Sequence, residues 1–155
     1  MSYKILSFDP GGTTGWACMN FDEFNVPIGP DAAKIVGAVG EVTDLLELET
    51  IIDQHKPDAI VYEEFKLYPW KAKHKFWSTF PEVEVIGALK YIAIKRNIPF
   101  FAQGANTKKF WDDKKLKQCN VWEGLSPHER DAIRHGFYAI DFSDDLKKQL
   151  CKGGE

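Results

Sequence analysis

The stretch Ile5–Ala17, ILSFDPGGTTGWA, constrains the fold more than any other in the chain. A short apolar run ends on an acid, and Pro10-Gly11-Gly12 interrupts helix and strand alike. The backbone must turn there, and Gly15–Phe21 returns as the second arm of a hairpin. Asp9 then has two readings. It can serve the turn, with Pro10 fixing φ and both glycines supplying positive φ. It can equally be a carboxylate at the end of a central strand, left in a cleft where metal or phosphate chemistry is possible.

The remaining pattern supplies partners for that strand. Tyr3–Phe8 reads as a buried strand, Gly15–Phe21 as its hairpin partner and Ala33–Val39 as a third strand. Leu45, Leu46, Leu48, Ile51 and Ile52 recur at helical spacing, HKPD stops that helix, and AIVY follows as a strand with Glu63 and Glu64 at its end. Side chains alternate along a strand, so only one of these two glutamates enters a site on one face. A second helix over 82–97 turns Val85, Ile86, Leu89, Ile92 and Ala93 inward, and IPFFAQ is a fifth strand. Residues 106–124 read as a short helix and a loop. The order βββαβαβα predicts an α/β fold with one mixed sheet and helices packed on it.

A chain of 155 residues suits a single domain, 1–155, with 150–155 expected to be a flexible tail. Cys18, Cys119 and Cys151 are far apart and lack a CxxC pair, which points away from a disulfide framework or a cysteine zinc site. No apolar run is long enough to cross a membrane and no signal-peptide pattern opens the sequence, so a cytoplasmic protein without membrane partners is expected. The net charge of −3 conceals an asymmetry: residues 1–65 hold 3 Lys and Arg against 12 Asp and Glu, and residues 66–155 hold 17 against 11. That distribution permits a basic surface beside an acidic pocket.

The helix SPHERDAIRHGFYAI is the best signposted element. Ser126 suits the N-cap, Pro127 the first helical position, and Glu129 completes a capping box. With the phase so fixed, Ala132, Ile133, Gly136, Phe137 and Ile140 form the buried arc, while His128, Asp131 and His135 lie along its edge. Asp131 can simply favour the first turn through the helix dipole, and His135 can simply be a core histidine. Taken with Asp9 and Glu63, however, Asp131 gives three acidic groups at the ends of three elements, the usual ingredients of a two-metal phosphodiester site.

ILSFDPGGTTGWA, AIVYEEF and HERDAI, in this order and with these elements between them, resemble the signature motifs of the RuvC-type Holliday-junction resolvases, within the ribonuclease H-like superfamily. The similarity spans most of residues 3–140. It implies a ribonuclease H-like five-stranded mixed sheet with helices on both faces. It also implies that Asp9, Glu63 and Asp131 carry the metal-binding carboxylates, with Glu64 left as a solvent or structural carboxylate. His128 stands where many members have another aspartate. As a metal ligand it shifts preference toward Mn²⁺; alternatively it moves a proton at the attacking water or leaving group. Compact sequences of this kind resemble phage or divergent members.

KLYPWKAKHKFWSTFP, residues 66–81, contains four lysines, one histidine, five aromatics and no acid. Lys66, Lys71, Lys73 and Lys75 suit phosphates, and Trp70, Phe76 and Trp77 suit unpaired bases or opened base steps. The alternative is that the aromatics pack an interface or the core. Lys108 and Lys109, in TKKFWDDKKLKQ, occupy the region where the resolvases often carry a lysine-bearing segment against the phosphate backbone. The interspersed Asp112 and Asp113 favour a solvated helix face instead.

The expected activity is therefore a Mg²⁺-dependent endonuclease, with two ions per site and Mn²⁺ able to substitute, that nicks four-way DNA junctions in symmetric pairs. By resemblance the products carry 5′-phosphate and 3′-hydroxyl ends, and the symmetry of the junction implies a homodimer. Other readings are a related nuclease acting on RNA precursors or other branched DNA, and a catalytically silent junction binder. DPGGTTG is also similar to the phosphate loop of actin-like ATPases and sugar kinases. Those need two lobes around the nucleotide, so no nucleotide cofactor is expected.

Overall fold

Strand β1 (Tyr3–Asp9) is the central strand of a five-stranded sheet and is buried on both faces, through Ile5 on one and Leu6 and Phe8 on the other. The computed structural model describes residues 1–67 and 79–152. Within them the strands β2 (Thr14–Phe21), β3 (Val36–Val42), β4 (Ala59–Glu63) and β5 (Phe100–Gln103) complete the sheet in the order β3-β2-β1-β4-β5. β2 runs antiparallel to both β1 and β3, whereas β4 is parallel to β1 and β5 to β4. The helices are α1 (Leu45–His55), α2 (Pro81–Lys95), α3 (Thr107–Phe110), α4 (Asp113–Gln118), α5 (Pro127–Phe142) and α6 (Asp144–Lys152).

The alternation along the strands divides the core in two. Ile5, Ala17, Met19, Ala59 and Val61 face α5 and pack with Ile133, Phe137, Trp111 and Leu116. Leu6, Phe8, Cys18, Ile60 and Tyr62 face the other way, onto Leu48 and Ile52 of α1 and Leu89 and Ile92 of α2. Asp9 and Glu63 end their strands on the α5 side, two residues beyond Ser7 and Val61.

The approach of α5 to the sheet depends on two residues without side chains. Gly15 lies opposite Asp9 across the β1–β2 ladder. A Cβ there would collide with the backbone carbonyl of His128 and come within 2.9 Å of the His128 Cβ, so the first turn of α5 rests directly on bare strand. About two turns along α5 from His128, a Cβ on Gly136 would meet the Met19 methyl at 2.6 Å and the Ser7 hydroxyl at 3.0 Å. Between them Ser7 Oγ donates to the Ala132 carbonyl at 2.6 Å, satisfying a buried hydroxyl and pinning the helix to β1. The capping box forms as the sequence indicates: Glu129 N donates to Ser126 Oγ at 3.1 Å, and Ser126 N donates to Glu129 Oε1 at 2.8 Å.

Several expectations are corrected. The third strand begins at Val36, because Pro30–Ile35 winds into a 3₁₀ turn that tucks Ala32 into the core. Leu45 and Leu46 are exposed, since they occupy the first turn of α1 before that helix reaches the sheet. Gly11 and Gly12 do not take positive φ; Thr14 Oγ1 organises the turn instead, accepting from Gly11 N at 3.3 Å and donating to Gly11 O at 3.1 Å. Residues 106–124 hold two short helices. The tail expected at 150–155 is helical through Lys152, because Leu146 and Leu150, one turn apart, both bury against the core. Ser143 makes this break and restart possible: its N–H donates to Ala139 O at the end of α5, and its hydroxyl accepts from Leu146 N.

The seat of α5 yields a direct test. Gly15→Ala is expected to destabilise the fold by about 2–4 kcal/mol, because the colliding atoms are backbone. Gly12→Ala, which meets no atom within 4 Å, should change stability by less than about 0.5 kcal/mol. Urea unfolding followed by circular dichroism measures both.

Candidate active site

Two adjacent parallel strands bring the first pair of acids together. The register sets Phe8 beside Tyr62, so the next residues, Asp9 and Glu63, emerge side by side at the carboxyl ends of β1 and β4. Ligands in open α/β sheets gather at this edge. An open cleft of about 470 Å³ lies there, lined among others by Asp9, Pro10, Glu63, Lys66 and Asn106. Glu64, just past the end of β4, also lines this cleft but is not part of the cluster formed by Asp9 and Glu63: its N–H donates to Gln103 O, and its carboxylate pairs with exposed Lys66 at 3.6 Å.

Helix α5 brings three more groups. His128, in the first turn and half exposed, has Nδ1 at 3.6 Å from Asp9 Oδ2. Asp131, one turn on, is held from two sides: Oδ1 accepts from Arg134 Nη1, and Oδ2 lies 3.1 Å from Lys108 Nζ. His135, one further turn along, is only 1% exposed and has Nε2 at 3.2 Å from Glu63 Oε2. Its Nδ1 is buried with no hydrogen-bond partner among the described residues.

The sequence-derived set is therefore brought together only in part. Asp9 and Glu63 share a site as expected, and His128 adjoins Asp9. Asp131 stands at the border, near enough for its charge to act on Asp9 but committed to Arg134 and Lys108. The group whose ligand atoms lie within 4.8 Å of one another is Asp9, Glu63 and His135. His135 belongs both to the buried arc and to the site, a dual position that its place four residues after Asp131 signals. Arg134 was not legible as a site residue, because its other partners, the Trp111 carbonyl and Asp113, come from a segment with no clear period. Lys109 is exposed, whereas Trp70, Lys71, Lys73, Lys75, Phe76 and Trp77 lie outside the described residues.

The sequence matches no protein-family model and no curated protein. Solved structures do resemble the chain. A Thermus thermophilus RuvC in complex with a Holliday junction substrate aligns with TM-score 0.61 at 15% identity, over 90% of this chain and 95% of that one. A second T. thermophilus RuvC structure gives 0.57 at 15% identity over the same shares, 90% and 95%. The fowlpox virus resolvase, in complex with Holliday junction DNA, gives 0.55 at 16% identity over 88% and 97%. The chain has a ribonuclease H-like fold. At these identities the likeness is one of architecture, and it extends over nearly the whole length of both partners.

The electrostatics of the site are those of crowded acids. Burial, a hydrogen bond shared with Glu63 and the charges of Asp131 and Glu63 push the Asp9 carboxyl up to about 8. Glu63 is held below the usual carboxylate range, first by its hydrogen bond with His135. One acid of the pair thus keeps a proton at neutral pH, because burial disfavours its charge and the adjoining acids disfavour it further. A divalent cation would remove that repulsion. Two carboxylates and an imidazole form a hard, mixed oxygen–nitrogen donor set of a kind that Mg²⁺ and Mn²⁺ accept. The residues fit such an ion.

The sign of the Asp9 shift sets a stability prediction. In the unfolded chain Asp9 ionises near ~4, whereas in the fold it holds its proton to about 8. The fold therefore binds the extra proton, and this group costs stability increasingly as pH rises between those values. In chelator, Asp9→Asn should melt higher than the wild-type protein at pH 8, by roughly 3–8 °C, with the gap closing toward pH 5. Calorimetric scans across that range measure it.

Proposed function

We propose that the chain is a divalent-metal-dependent endonuclease that resolves four-way DNA junctions by paired symmetric nicks, leaving 5′-phosphate and 3′-hydroxyl ends. The observation that carries this reading is the Asp9–Glu63–His135 cluster at the carboxyl ends of two adjoining strands of a ribonuclease H-like sheet. It gains weight from the structural neighbours, two of which are complexes with Holliday junctions. Mg²⁺, or Mn²⁺ in its place, would be held by Asp9, Glu63 and His135, and when bound it supplies a Lewis acid for water and charge for a phosphate.

The chain's own groups do the remaining work. His128, half exposed beside Asp9, exchanges a proton with the attacking water or the departing oxygen. Lys66, on the cleft wall, and Lys108 and Lys109, on α3, attract the DNA backbone. The basic, aromatic stretch 70–77 grips the branch of the junction. No helix among the described residues is long and apolar enough to cross a membrane.

Paired nicks require paired sites, and α2 supports a homodimer. Its outer face carries Val83, Gly87, Tyr91 and Ile94, the last two each 66% exposed, as one stripe uncovered by the other described residues. Glu82 and Glu84 lie at its amino end and Lys90 and Lys95 at its carboxyl end. A twofold partner would set the two helices antiparallel, with unlike charges opposed and the bare Gly87 near the axis.

The deciding experiment incubates the protein with a synthetic four-way junction and with a matched linear duplex, in Mg²⁺, Mn²⁺ or chelator. Cleavage confined to the junction, dependent on metal and lost at least about 10³-fold in Asp9→Asn and Glu63→Gln with binding retained, is expected. Junction binding without cleavage in either metal would instead indicate a silent binder. For the dimer, Tyr91→Glu with Ile94→Glu should give a monomer by sedimentation and single, unpaired nicks on a cruciform plasmid. A double variant that stays dimeric would move the interface elsewhere.

A further inference from the structure

Asp131 differs from the other two acids in how completely it is already neutralised. Its Oδ1 belongs to Arg134, a guanidinium only 7% exposed whose three nitrogens are all committed. Nε donates to the Trp111 carbonyl at 2.7 Å, Nη1 to Asp131, and Nη2 to Asp113. With Asp113 and the Trp111 carbonyl holding its other nitrogens, this buried guanidinium is fixed in place beside Asp131. That leaves Oδ2, at 3.1 Å from the Lys108 ammonium, whose side chain is 54% exposed and can withdraw. The positive charge of Lys108 also reaches Asp9 and Glu63.

A divalent ion binding beside Asp131 would thus find one oxygen spoken for by a fixed cation and the other by a removable one. The ion pairs of Asp9 and Glu63 among the described residues are instead with imidazoles, His128 and His135, and Asp9, Glu63 and His135 converge. The two halves of the site are therefore unequal.

We propose that the protein without DNA binds one divalent ion, on Asp9, Glu63 and His135, and that the Lys108 ammonium occupies the position of a second ion beside Asp131. This rests on the metal-site reading above and refines the expectation of two ions per site. Lys108 is a placeholder cation. It balances the acidic wall at no cost in ligand geometry, and an ammonium on a flexible stem can exchange Asp131 for a phosphate oxygen when DNA arrives.

Mn²⁺ binding to the intact protein, followed by electron paramagnetic resonance of the free ion and by calorimetry, tests this without recourse to activity. The wild-type protein should bind one Mn²⁺ per chain, and Lys108→Gln should gain a second site or tighten a weak one by at least about tenfold. Lys108→Arg, which keeps the charge, should remain at one. Two ions of similar affinity in the wild-type protein, or an unchanged count in Lys108→Gln, would overturn the placeholder role. Asp9→Asn separates this from the parent reading: it should abolish the single wild-type site. If the wild-type protein shows no saturable Mn²⁺ site that Asp9→Asn removes, the metal reading fails and the placeholder falls with it.

Discussion

The site depends on one helix lying unusually close to one strand. Most of what distinguishes the cleft from an ordinary sheet edge comes from α5: the His128 imidazole, the Asp131 carboxylate and the His135 imidazole. They reach Asp9 and Glu63 because Gly15 and Gly136 remove the two side chains that would hold the helix off the sheet. The Ser7 hydroxyl then fixes the helix laterally through the Ala132 carbonyl. A displacement of even one ångström at that contact would open the His135–Glu63 pair, which stands at 3.2 Å. Backbone sterics at two glycines thus decide a question of chemistry several residues away.

Asp9, Glu63 and Asp131 are answered in three different ways. Glu63 is paired with a buried imidazole, and Asp131 is shared between a buried guanidinium and an exposed ammonium. Asp9 has the least, a half-exposed histidine at 3.6 Å, and it is the acid that keeps its proton. The residue with the greatest unmet demand for positive charge is thus the one at the end of the central strand, where the cleft is open. Local electrostatics of this kind mark functional edges more often than structural ones.

The chain's sequence revealed the sheet and the helix phase because both rest on short-range rules. The capping box fixed where α5 starts, and from that point the buried arc and the edge residues followed by counting. Alternation likewise indicated that only one of Glu63 and Glu64 would join Asp9, the resemblance favoured Glu63, and Glu63 is the one that clusters with it. The division of labour within the site was less legible, since it depends on which groups meet across 20 to 120 residues of chain. His135 looked like a core residue because it is one; only the register of α5 against β4 shows that its ring touches Glu63. Arg134 was missed because its partners lie in α4 and in the link before it. The shift of the third strand to Val36 has a local cause: Pro30 starts a 3₁₀ turn that propensity alone reads as extended chain.

The capping box carries a consequence beyond marking a boundary. Helices unravel from their ends, where amide groups lack partners, and the first turn is ordinarily the part that moves most. Here that turn carries His128, with Asp131 just beyond it. The reciprocal bonds between Ser126 and Glu129 therefore suppress fraying in the segment whose thermal motion would otherwise blur the geometry around Asp9. Two residues that stand outside the cluster thus limit how far His128 and Asp131 fluctuate.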